Sequence, residues 1–461
     1  MSGSTMGDGL PRPTEDLSEL VAMAERLLDG AAGEEIEVVL SRGASTSVEV
    51  HDGEVESFTS AGSAAAGVRV LSEGRLGFAS CGTLDPEVLR ETVAEARDNC
   101  RFSEADEHNA IGRPDGVAPV KQVSWFPEVL ELGARDKVER AIELERQVIG
   151  TDPRVGSARS TSYDDGWGES VVVSTTGIRA ESRGTTCSVG TQPLANADGE
   201  TQIGWGYDVA RRPDELDDSR VVRESVERAT KLLGAGKPPS ARMAILLEPR
   251  LAVTLLGVVT GMLSAESVQK GRSPFADRVG ETIAAPVLGL VDDPTRSESL
   301  GAEEFDGEGL ACRANPLISA GVLQGFLYDS TSASRSGVSS TASAVRSTRS
   351  IPGPGAQLLV MEPGDRSRDE LLAGIGLGLA VESFAGLHSG VNPVSGDFSV
   401  GANGLLIRDG QLAEPVQEIT IASSIQRLLL DISAVGGDFE WLPSGSGGAS
   451  MVIDGVAVSG T

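Results

Sequence analysis

Histidine is nearly absent from this sequence of 461 residues. The chain has three histidines, and none lies near another in sequence: His51, His108 and His388. The H-E-x-x-H, H-x-H and Cys/His spacings that hold zinc in proteins therefore do not occur. We interpret the three histidines as ordinary surface or loop residues and predict no metal and no cofactor in this chain. A metal site assembled from distant residues, with His388 as one ligand, is the alternative.

Cysteine is scarce, and the four cysteines form no C-x-x-C pair: Cys81, Cys100, Cys187 and Cys312. This usage predicts reduced thiols in a cytoplasmic protein. The first residues contain no basic segment followed by an apolar one, so we predict no signal peptide. No apolar run reaches the length of a membrane span.

Positive charge is also in short supply. The chain has 39 lysines and arginines against 68 acidic residues, which gives a formal net charge of −29. A field of this sign repels phosphate backbones and anionic lipid headgroups. Nucleic acids and membranes are therefore excluded as expected partners.

Aromatic residues make up only 4% of the chain, whereas glycine occurs 57 times. The cores must therefore consist of aliphatic side chains, and frequent glycine turns favour a β-rich architecture. The length predicts roughly two or three domains. We predict an α+β fold, in which N-terminal α+β modules are followed by a β-rich, barrel-like C-terminal domain.

Composition and periodicity divide the chain into four segments. They are a flexible tail (1–13), an N-terminal α+β module ending in a polar linker (14–122), a middle β-rich module with flanking helices (123–235) and the C-terminal domain (240–461).

Local patterns predict the main elements within these segments. A hairpin turns at Asp52-Gly53, and an amphipathic helix covers Asp85–Cys100. In the C-terminal domain we expect helices at about Arg250–Gln269 and Arg368–Glu382.

Two short motifs have both a functional and a structural interpretation. Ser267 and Lys270 match S-x-x-K, a spacing that places a lysine amine one helical turn from a nucleophilic hydroxyl, but the companion motifs are missing. The glycines of 374–378 fit neither phosphate-binding pattern, which favours a helix of small residues packed against a sheet.

Four acidic residues are clustered between positions 303 and 308: Glu303, Glu304, Asp306 and Glu308. The cluster lacks the alternating oxygen ligands of a calcium loop, so we interpret it as a solvated turn.

Longer stretches resemble the TldD/TldE (PmbA) peptidase family. In the C-terminal half they are AESVQKGRSPFADRVGETIAAPVLGLVDDPT (265–295), EEFDGEGL (303–310), SGVNPVSGDFSVGANGLLIRDGQLAEPVQEITIA (389–422) and AVGGDFEW (434–441). The N-terminal stretch HDGEVESFTSAGSAAAGVRVLSEGRLGFAS (51–80) is similar to the same family. The resemblance extends from about residue 18 to the end.

The resemblance implies a heterodimeric peptidase whose TldD-type subunit binds zinc through H-E-x-x-x-H on a helix and a C-terminal cysteine. On this sequence the two histidine positions are Ala265 and Lys270, and the catalytic glutamate position is Glu266. The cysteine region, 441–450, has no cysteine. The chain thus resembles the TldE-type subunit, with zinc expected in a homologous TldD-like partner. Without three ligands, Glu266 has no metal-bound water to deprotonate and is expected to pair with Lys270 on the helix surface.

The family also implies that the C-terminal sheet holds a peptide or peptide-like amide as an added strand. The matching segment is Gly390–Val400, and its candidate contacts with substrate or partner are Asn392, Ser395, Asp397 and Phe398, with His388 beside them. A simple tight turn at N-P-V-S-G-D is the structural alternative. Two other functions stay open: a stand-alone amidase using Ser267 and Lys270 or a remote metal site, and a peptide-binding protein without hydrolysis.

Overall fold

The computed structural model describes residues 11–31 and 33–460. Most of the predicted flexible tail, residues 1–10, lies outside this part of the chain. The described chain is mixed α and β, and its C-terminal half contains a barrel, so the predicted fold class is confirmed.

One antiparallel sheet of seven strands spans the first half of the chain. Its strands are β1 (Glu35–His51), β2 (Glu54–Ser72), β3 (Arg75–Cys81), β4 (Val155–Ser174), β5 (Arg179–Ala197), β6 (Glu200–Ile203) and β7 (Gly206–Ala210). The order is β3-β2-β1-β4-β5-β6, with β7 also paired to β5. Because β1 pairs with β4, the segments 14–122 and 123–235 share this sheet. The β1–β2 hairpin turns at Asp52-Gly53 as predicted, with both residues at positive φ.

Helices cover one face of the sheet. They are α1 (Ser18–Leu27), α2 (Pro86–Phe102), α3 (Glu128–Glu131), α4 (Ala134–Thr151) and α5 (Asp218–Thr230), with a 3₁₀ turn at Pro213–Glu215. Ile36, Val38 and Leu40 of β1 pack under α1 and α2, and Val48 and Val50 pack under α4 and α5. These even-numbered residues share a face because side chains alternate along a strand.

The C-terminal half closes into a five-stranded barrel. The strands of its sheet are β8 (Ala241–Leu247), β15 (Leu377–Ala385), β16 (Asp397–Arg408), β17 (Gln411–Ser424), β18 (Ile432–Val435) and β21 (Met451–Ser459). Their order is β17-β16-β15-β8-β21-β18, and an additional pairing of β17 with β21 closes the ring. The apolar side of helix α6 (Pro249–Met262) joins the large core of this domain through Leu251, Leu255 and Val259.

Shorter elements complete this domain. A second sheet contains β9 (Leu290–Asp292), β10 (Asn315–Ser319), β11 (Val322–Leu323), β14 (Leu359–Met361), β19 (Glu440–Trp441) and β20 (Gly447–Gly448), and a pair is formed by β12 (Ala344–Val345) and β13 (Gly353–Pro354). The remaining helices are α7 (Ala265–Gln269), α8 (Ser330–Ser336), α9 (Arg368–Ala373), α10 (Leu387–Gly390) and α11 (Ile425–Leu430). No helix of the described chain is both long and apolar enough to cross a membrane.

Two helix predictions were wrong. The expected helix Arg250–Gln269 is interrupted after Met262, because Ser264 takes an extended conformation and caps a second helix, α7. The expected helix Arg368–Glu382 ends at Ala373, and the chain then forms strand β15. The glycine-rich segment 374–378 is therefore a turn entering a strand, where Gly378 lies too close to the Ala244 carbonyl oxygen for a side chain.

Candidate functional site

Helix α7 carries the positions that correspond to the zinc-binding helix. The Ser264 hydroxyl accepts a hydrogen bond from the Ser267 N–H at 3.2 Å and begins the helix. Ala265 is 1% exposed, and its N–H donates to the Leu327 carbonyl oxygen at 2.9 Å. The first position of the motif is thus a buried methyl group fixed against the neighbouring loop.

Glu266 and Lys270 form an ion pair one turn apart on the same helix. The Lys270 ammonium donates a hydrogen bond to the Glu266 carboxylate. The Glu266 side chain is 53% exposed and the Lys270 side chain is 50% exposed. The structure brings these two predicted site residues together in the arrangement expected of a helix-surface pair.

The residues of this helix do not fit a zinc ion. Zinc in proteins is held by imidazole nitrogen, thiolate sulfur or carboxylate oxygen, and Ala265 supplies none of these. Lys270 places a cation at the position where H-E-x-x-x-H has its second histidine ligand. At the end of the cysteine region, the buried Ser450 hydroxyl donates to Asp438 at 2.6 Å. Within residues 11–31 and 33–460, no group of three or more His, Cys, Asp or Glu side chains could hold a metal ion.

Ser267 is bonded within its own turn. Its hydroxyl donates to the Gly261 carbonyl oxygen at 2.9 Å and lies 2.9 Å from the Ser264 hydroxyl. The ammonium of Lys270 points instead to Glu266. A serine nucleophile of the S-x-x-K type needs a contact between its hydroxyl and the lysine amine. Ser267 and Lys270 are instead hydrogen-bonded to other groups.

The segment N-P-V-S-G-D folds into a turn that satisfies its own polar groups. The Asn392 side-chain oxygen accepts hydrogen bonds from Val394 N–H at 2.9 Å and Ser395 N–H at 3.3 Å. The Ser395 hydroxyl donates to Asp397 at 2.7 Å, and Gly396 has a φ of 81°. Apart from the buried Gly396, the residues from Asn392 to Asp397 are exposed.

Two other candidates beside this turn differ in exposure. His388 in α10 is exposed, whereas Phe398 is only 2% exposed. The Phe398 ring packs edge-on against Phe384, with 6.0 Å between ring centroids. Phe398 therefore stabilises the core of the barrel and does not lie on a surface open to a ligand.

The sheet position of this segment limits how a peptide could add to it. β16 pairs with β17 along one side and with β15 along the other. Beside Ser399 the second side is filled by the backbone of Gly390, where a Cβ would lie 2.1 Å from the Ser399 carbonyl oxygen. A peptide strand would have to displace the segment around Gly390 before it could pair there.

The acidic cluster at 303–308 is a solvated turn only in part, since Glu303 is exposed and Glu304 is half-buried, whereas the other two carboxylates are buried. Asp306 is 5% exposed and Glu308 is fully buried. The Asp306 carboxylate accepts hydrogen bonds from the N–H groups of Glu308, Leu310 and Ala344. Burial, together with the neighbouring Glu308 charge, raises the pKa of Asp306 to about 7. For Asp306 and Glu308 the interpretation from sequence was wrong, because it did not include the backbone N–H donors around Asp306 and the Arg69 guanidinium that reaches Glu308 from the N-terminal sheet.

The Arg69 guanidinium is part of a buried ionic network between the two halves of the chain. Arg69 of β2 donates to Glu37 of β1 at 2.9 and 2.5 Å and to Glu308 at 3.0 Å. Arg346 also donates to Glu37, and Glu308 accepts from the Ser330 N–H and hydroxyl. The Arg69, Glu37 and Glu308 side chains are at most 1% exposed. The network fixes the N-terminal sheet against the C-terminal domain.

A cleft of about 420 Å³ lies where the middle segment meets α6. Trp205 lines it, and the guanidinium carbons of Arg228 and Arg250 lie 3.9 and 4.7 Å from its ring centroid. Glu224 and Glu248 contribute negative charge to the same walls. Sequence analysis missed this cleft because its residues are far apart along the chain and match no motif.

The other two histidines belong to the first half of the chain. His51 is exposed, and its Nδ1 lies 3.0 Å from the Ala158 carbonyl oxygen. His108 is half-buried in the segment after α2. Their interpretation as surface or loop residues agrees with these positions.

Three family models match most of this chain. They are described as PmbA/TldA metallopeptidase domain 1 at residues 36–100, central domain at residues 127–233 and C-terminal domain at residues 240–460. The chain is 26% identical over 428 residues to "Metalloprotease PmbA" of Escherichia coli O157:H7, with 92% of each chain covered. It is 25% identical over 429 residues to "Metalloprotease TldD homolog" of Haemophilus influenzae, with 86% of each chain covered.

A solved structure shares the whole fold. The crystal structure of TldE from Thermococcus kodakarensis superposes with a TM-score of 0.85 and 23% sequence identity. The match covers 96% of this chain and 100% of that one. This chain and the TldE structure therefore share the same arrangement of sheet, barrel and connecting segments.

Proposed function

This chain belongs to the PmbA/TldD metallopeptidase family, and from that premise we propose that it is a non-catalytic, TldE-like subunit of a heterodimeric zinc peptidase. In this proposal the substrate is a peptide or a peptide-like amide. The chain helps to enclose the substrate, and a homologous TldD-like subunit with H-E-x-x-x-H holds the zinc and performs the hydrolysis. We place the complex in the cytoplasm, since all four cysteines are free thiols.

The ion pair between Glu266 and Lys270 carries this proposal. A general base of a zinc peptidase must approach a metal-bound water. Here the corresponding carboxylate is bound to an ammonium group on its own helix. Ala265 offers no ligand atom, and its buried position holds the helix against Leu327. The helix therefore supports packing of the domain, and the chemistry is assigned to the partner subunit.

The proposed contact with substrate or partner uses the exposed turn after α10. Asn392, Ser395 and Asp397 order the turn through their mutual hydrogen bonds, and His388 lies exposed beside it. A rigid surface turn loses little conformational entropy when it is covered by another chain. Phe398 supports the turn from the core and makes no direct contact in this proposal.

Metal analysis and reconstitution test the proposal. The purified chain should contain no stoichiometric zinc and should not cleave a casein-derived peptide pool. A complex with the homologous H-E-x-x-x-H chain of the same organism should contain about one zinc for each pair and cleave the pool. One equivalent of zinc in this chain alone would overturn the assignment. A complex that binds peptides without cleaving them would favour the peptide-binding alternative.

A further inference from the structure

A cleft of about 550 Å³ lies between the N-terminal sheet and the C-terminal domain. On the side of the sheet it is lined by Val39 of β1 and by residues of β4 and β5, among them Ser170 and Ser182. On the other side it is lined by residues of the segments 301–307 and 344–348. The cleft is large enough for a small organic molecule.

Arg346 brings a buried guanidinium group to this cleft. Its side chain is 5% exposed, and its Nη1 donates a hydrogen bond to Glu37. The Nε and Nη2 atoms are also buried, and within the described part of the chain they have no hydrogen-bond partner. A buried donor without an acceptor costs free energy, and native proteins have few of them. A ligand that brings an acceptor to this edge of the guanidinium would remove that cost.

The two donors on this edge match a carboxylate in geometry. The Nε–H and Nη2–H bonds of one guanidinium point in parallel and fit the two oxygens of a carboxylate or a phosphate. Arg69 uses the same edge in the neighbouring network, where its Nε and Nη2 donate to the two oxygens of Glu37 at 2.9 and 2.5 Å. The corresponding edge of Arg346 is therefore suited to a second carboxylate, one that does not come from the described chain.

The charges around the cleft favour a ligand with a single negative charge. Glu303 and Asp306 line the same cleft, and Glu37 already opposes the charge of Arg346. A phosphate group brings up to about two negative charges near neutral pH, whereas a carboxylate brings one. Repulsion from the two acidic residues is therefore smaller for the carboxylate.

We propose that this cleft binds a small ligand through one carboxylate, which accepts hydrogen bonds from Nε and Nη2 of Arg346. Val39 and Val172 supply apolar surface for an aliphatic part of the ligand, and Ser170 and Ser182 supply hydroxyl groups for polar atoms beside it. The carboxylate belongs to a free organic acid or to the C-terminus of a peptide, which present the same group to the arginine. Among the described residues that line the cleft, none belongs to α7.

Fluorine NMR of the full chain tests the proposal with N-trifluoroacetyl-L-alanine as the probe. The fluorine resonance should broaden when the chain is added, and a titration gives the Kd. The primary amide of the same compound has nearly the same shape without the negative charge. It should bind at least tenfold more weakly, because it offers no carboxylate to the guanidinium. Equal binding of the acid and the amide would overturn the proposal.

Substitution of Arg346 tests the role of its paired donors. Arg346→Lys keeps the positive charge but loses the two parallel N–H groups, so binding of the probe should weaken at least tenfold. Arg349→Lys is the matched control, because Arg349 is exposed in the same segment and is not among the residues that line the cleft. Circular dichroism checks that both variants fold. A folded Arg346→Lys chain that binds the probe as the unmodified chain does would contradict the assignment.

A substitution on the sheet tests the location without altering the ionic network. Ser182→Leu fills the cleft from β5 and should weaken binding of the probe at least tenfold. Thr186→Leu is the control, since Thr186 is exposed on the same face of the same strand and does not line the cleft. Unchanged binding in Ser182→Leu would place the probe elsewhere and overturn the proposal, even if Arg346→Lys did not fold.

Competition with unlabelled compounds identifies the source of the carboxylate. Stronger displacement of the probe by N-acetyl-trialanine than by acetate assigns a peptide C-terminus, and the reverse order assigns a free acid. Stronger displacement by inorganic phosphate than by either carboxylate, at equal ionic strength, would contradict a singly charged ligand. The chain is used alone and no bond is cleaved, so the outcome is independent of the proposed peptidase function.

Discussion

Arg69 in the N-terminal sheet and Glu308 in the C-terminal domain form an ion pair of 3.0 Å whose two side chains are at most 1% exposed. Glu37 and Arg346 extend this pair to four alternating charges. Isolated charges are costly to bury, so each member of the network depends on the others. The relative position of the two halves of the chain is thus tied to a single group of side chains.

Removing the charge of Arg69 should destabilise the protein strongly. Arg69→Met leaves Glu37 and Glu308 buried close together with less positive charge, and breaking a buried pair costs about 3–5 kcal/mol. Chemical denaturation should show this loss in the free energy of unfolding. Arg146→Met is the matched control, because Arg146 pairs with Glu143 on the surface of α4 with 71% of its side chain exposed. A loss of at most about 1 kcal/mol is expected there, and equal losses in the two variants would contradict the role of the network.

Asp306 should make stability depend on pH. Its pKa is about 7 in the folded protein, because of burial and the Glu308 charge, against an ordinary value of 3.8. The folded state therefore binds more protons than the unfolded state between these values, so this contribution to stability is present at low pH and is lost as pH rises to about 7. Chemical denaturation should show that the free energy of unfolding of the unmodified protein, relative to that of Asp306→Asn, falls by up to about 1.4 kcal/mol per pH unit from pH 5 to pH 7. A constant difference across this range would show that the pKa of Asp306 is not raised in the folded protein.

The contact between the sheet and the C-terminal domain should not tolerate a methyl group at position 67. A Cβ on Gly67 would lie 2.3 Å from the Thr348 carbonyl oxygen, so Gly67→Ala forces the two halves apart. We expect a loss of about 1–3 kcal/mol in the free energy of unfolding. Gly168→Ala is the control, since Gly168 is also in a strand and its Cβ would meet no atom within 4 Å. Similar stability of the two variants would show that the contact between Gly67 and Thr348 adjusts to an added methyl group without cost.

Glu266 should be dispensable for catalysis by the proposed heterodimer. Glu266→Gln removes a half-exposed ion pair, so we expect a stability change below about 1 kcal/mol and unchanged kcat/KM of the reconstituted pair. The same substitution at the motif glutamate of the TldD-like subunit is the control and should abolish turnover. If Glu266→Gln also abolished turnover while the pair and its zinc remained intact, the carboxylate would have a catalytic role.

Ser267 should likewise be unnecessary for hydrolysis. Its hydroxyl is bonded to Gly261 and Ser264, whereas Lys270 is bonded to Glu266. Ser267→Ala should therefore leave the activity of the pair unchanged, as measured on the same peptide pool. Cleavage by this chain alone that disappeared in Ser267→Ala would support the stand-alone amidase.

Local chemistry allowed much of the fold to be predicted. The Asp52-Gly53 turn and the strands beside it follow from glycine preferences and alternating side chains. The family resemblance is confirmed across 36–100, 127–233 and 240–460. The lack of histidine at Ala265 and Lys270 is likewise a property of the sequence alone.

Helix ends and strand identity were decided by tertiary contacts. The periodic apolar residues of 250–269 continue past Met262, but Leu327 binds the Ala265 N–H and the helix breaks. Leu377–Ala385 forms a strand because β8 offers a parallel partner. Neither partner is adjacent in sequence, so local propensity could not include it.

The sequence by itself therefore determined the class of the fold, the family and the absence of histidine ligands on α7, because these depend on residue types at fixed spacings. Only the tertiary structure decided that Asp306 and Glu308 are buried, that Arg69 joins two halves of the chain and that β3 pairs with β2 only from Ala66 onward. Burial and pairing depend on which distant residues meet. That is set by packing of the whole chain and not by any local pattern.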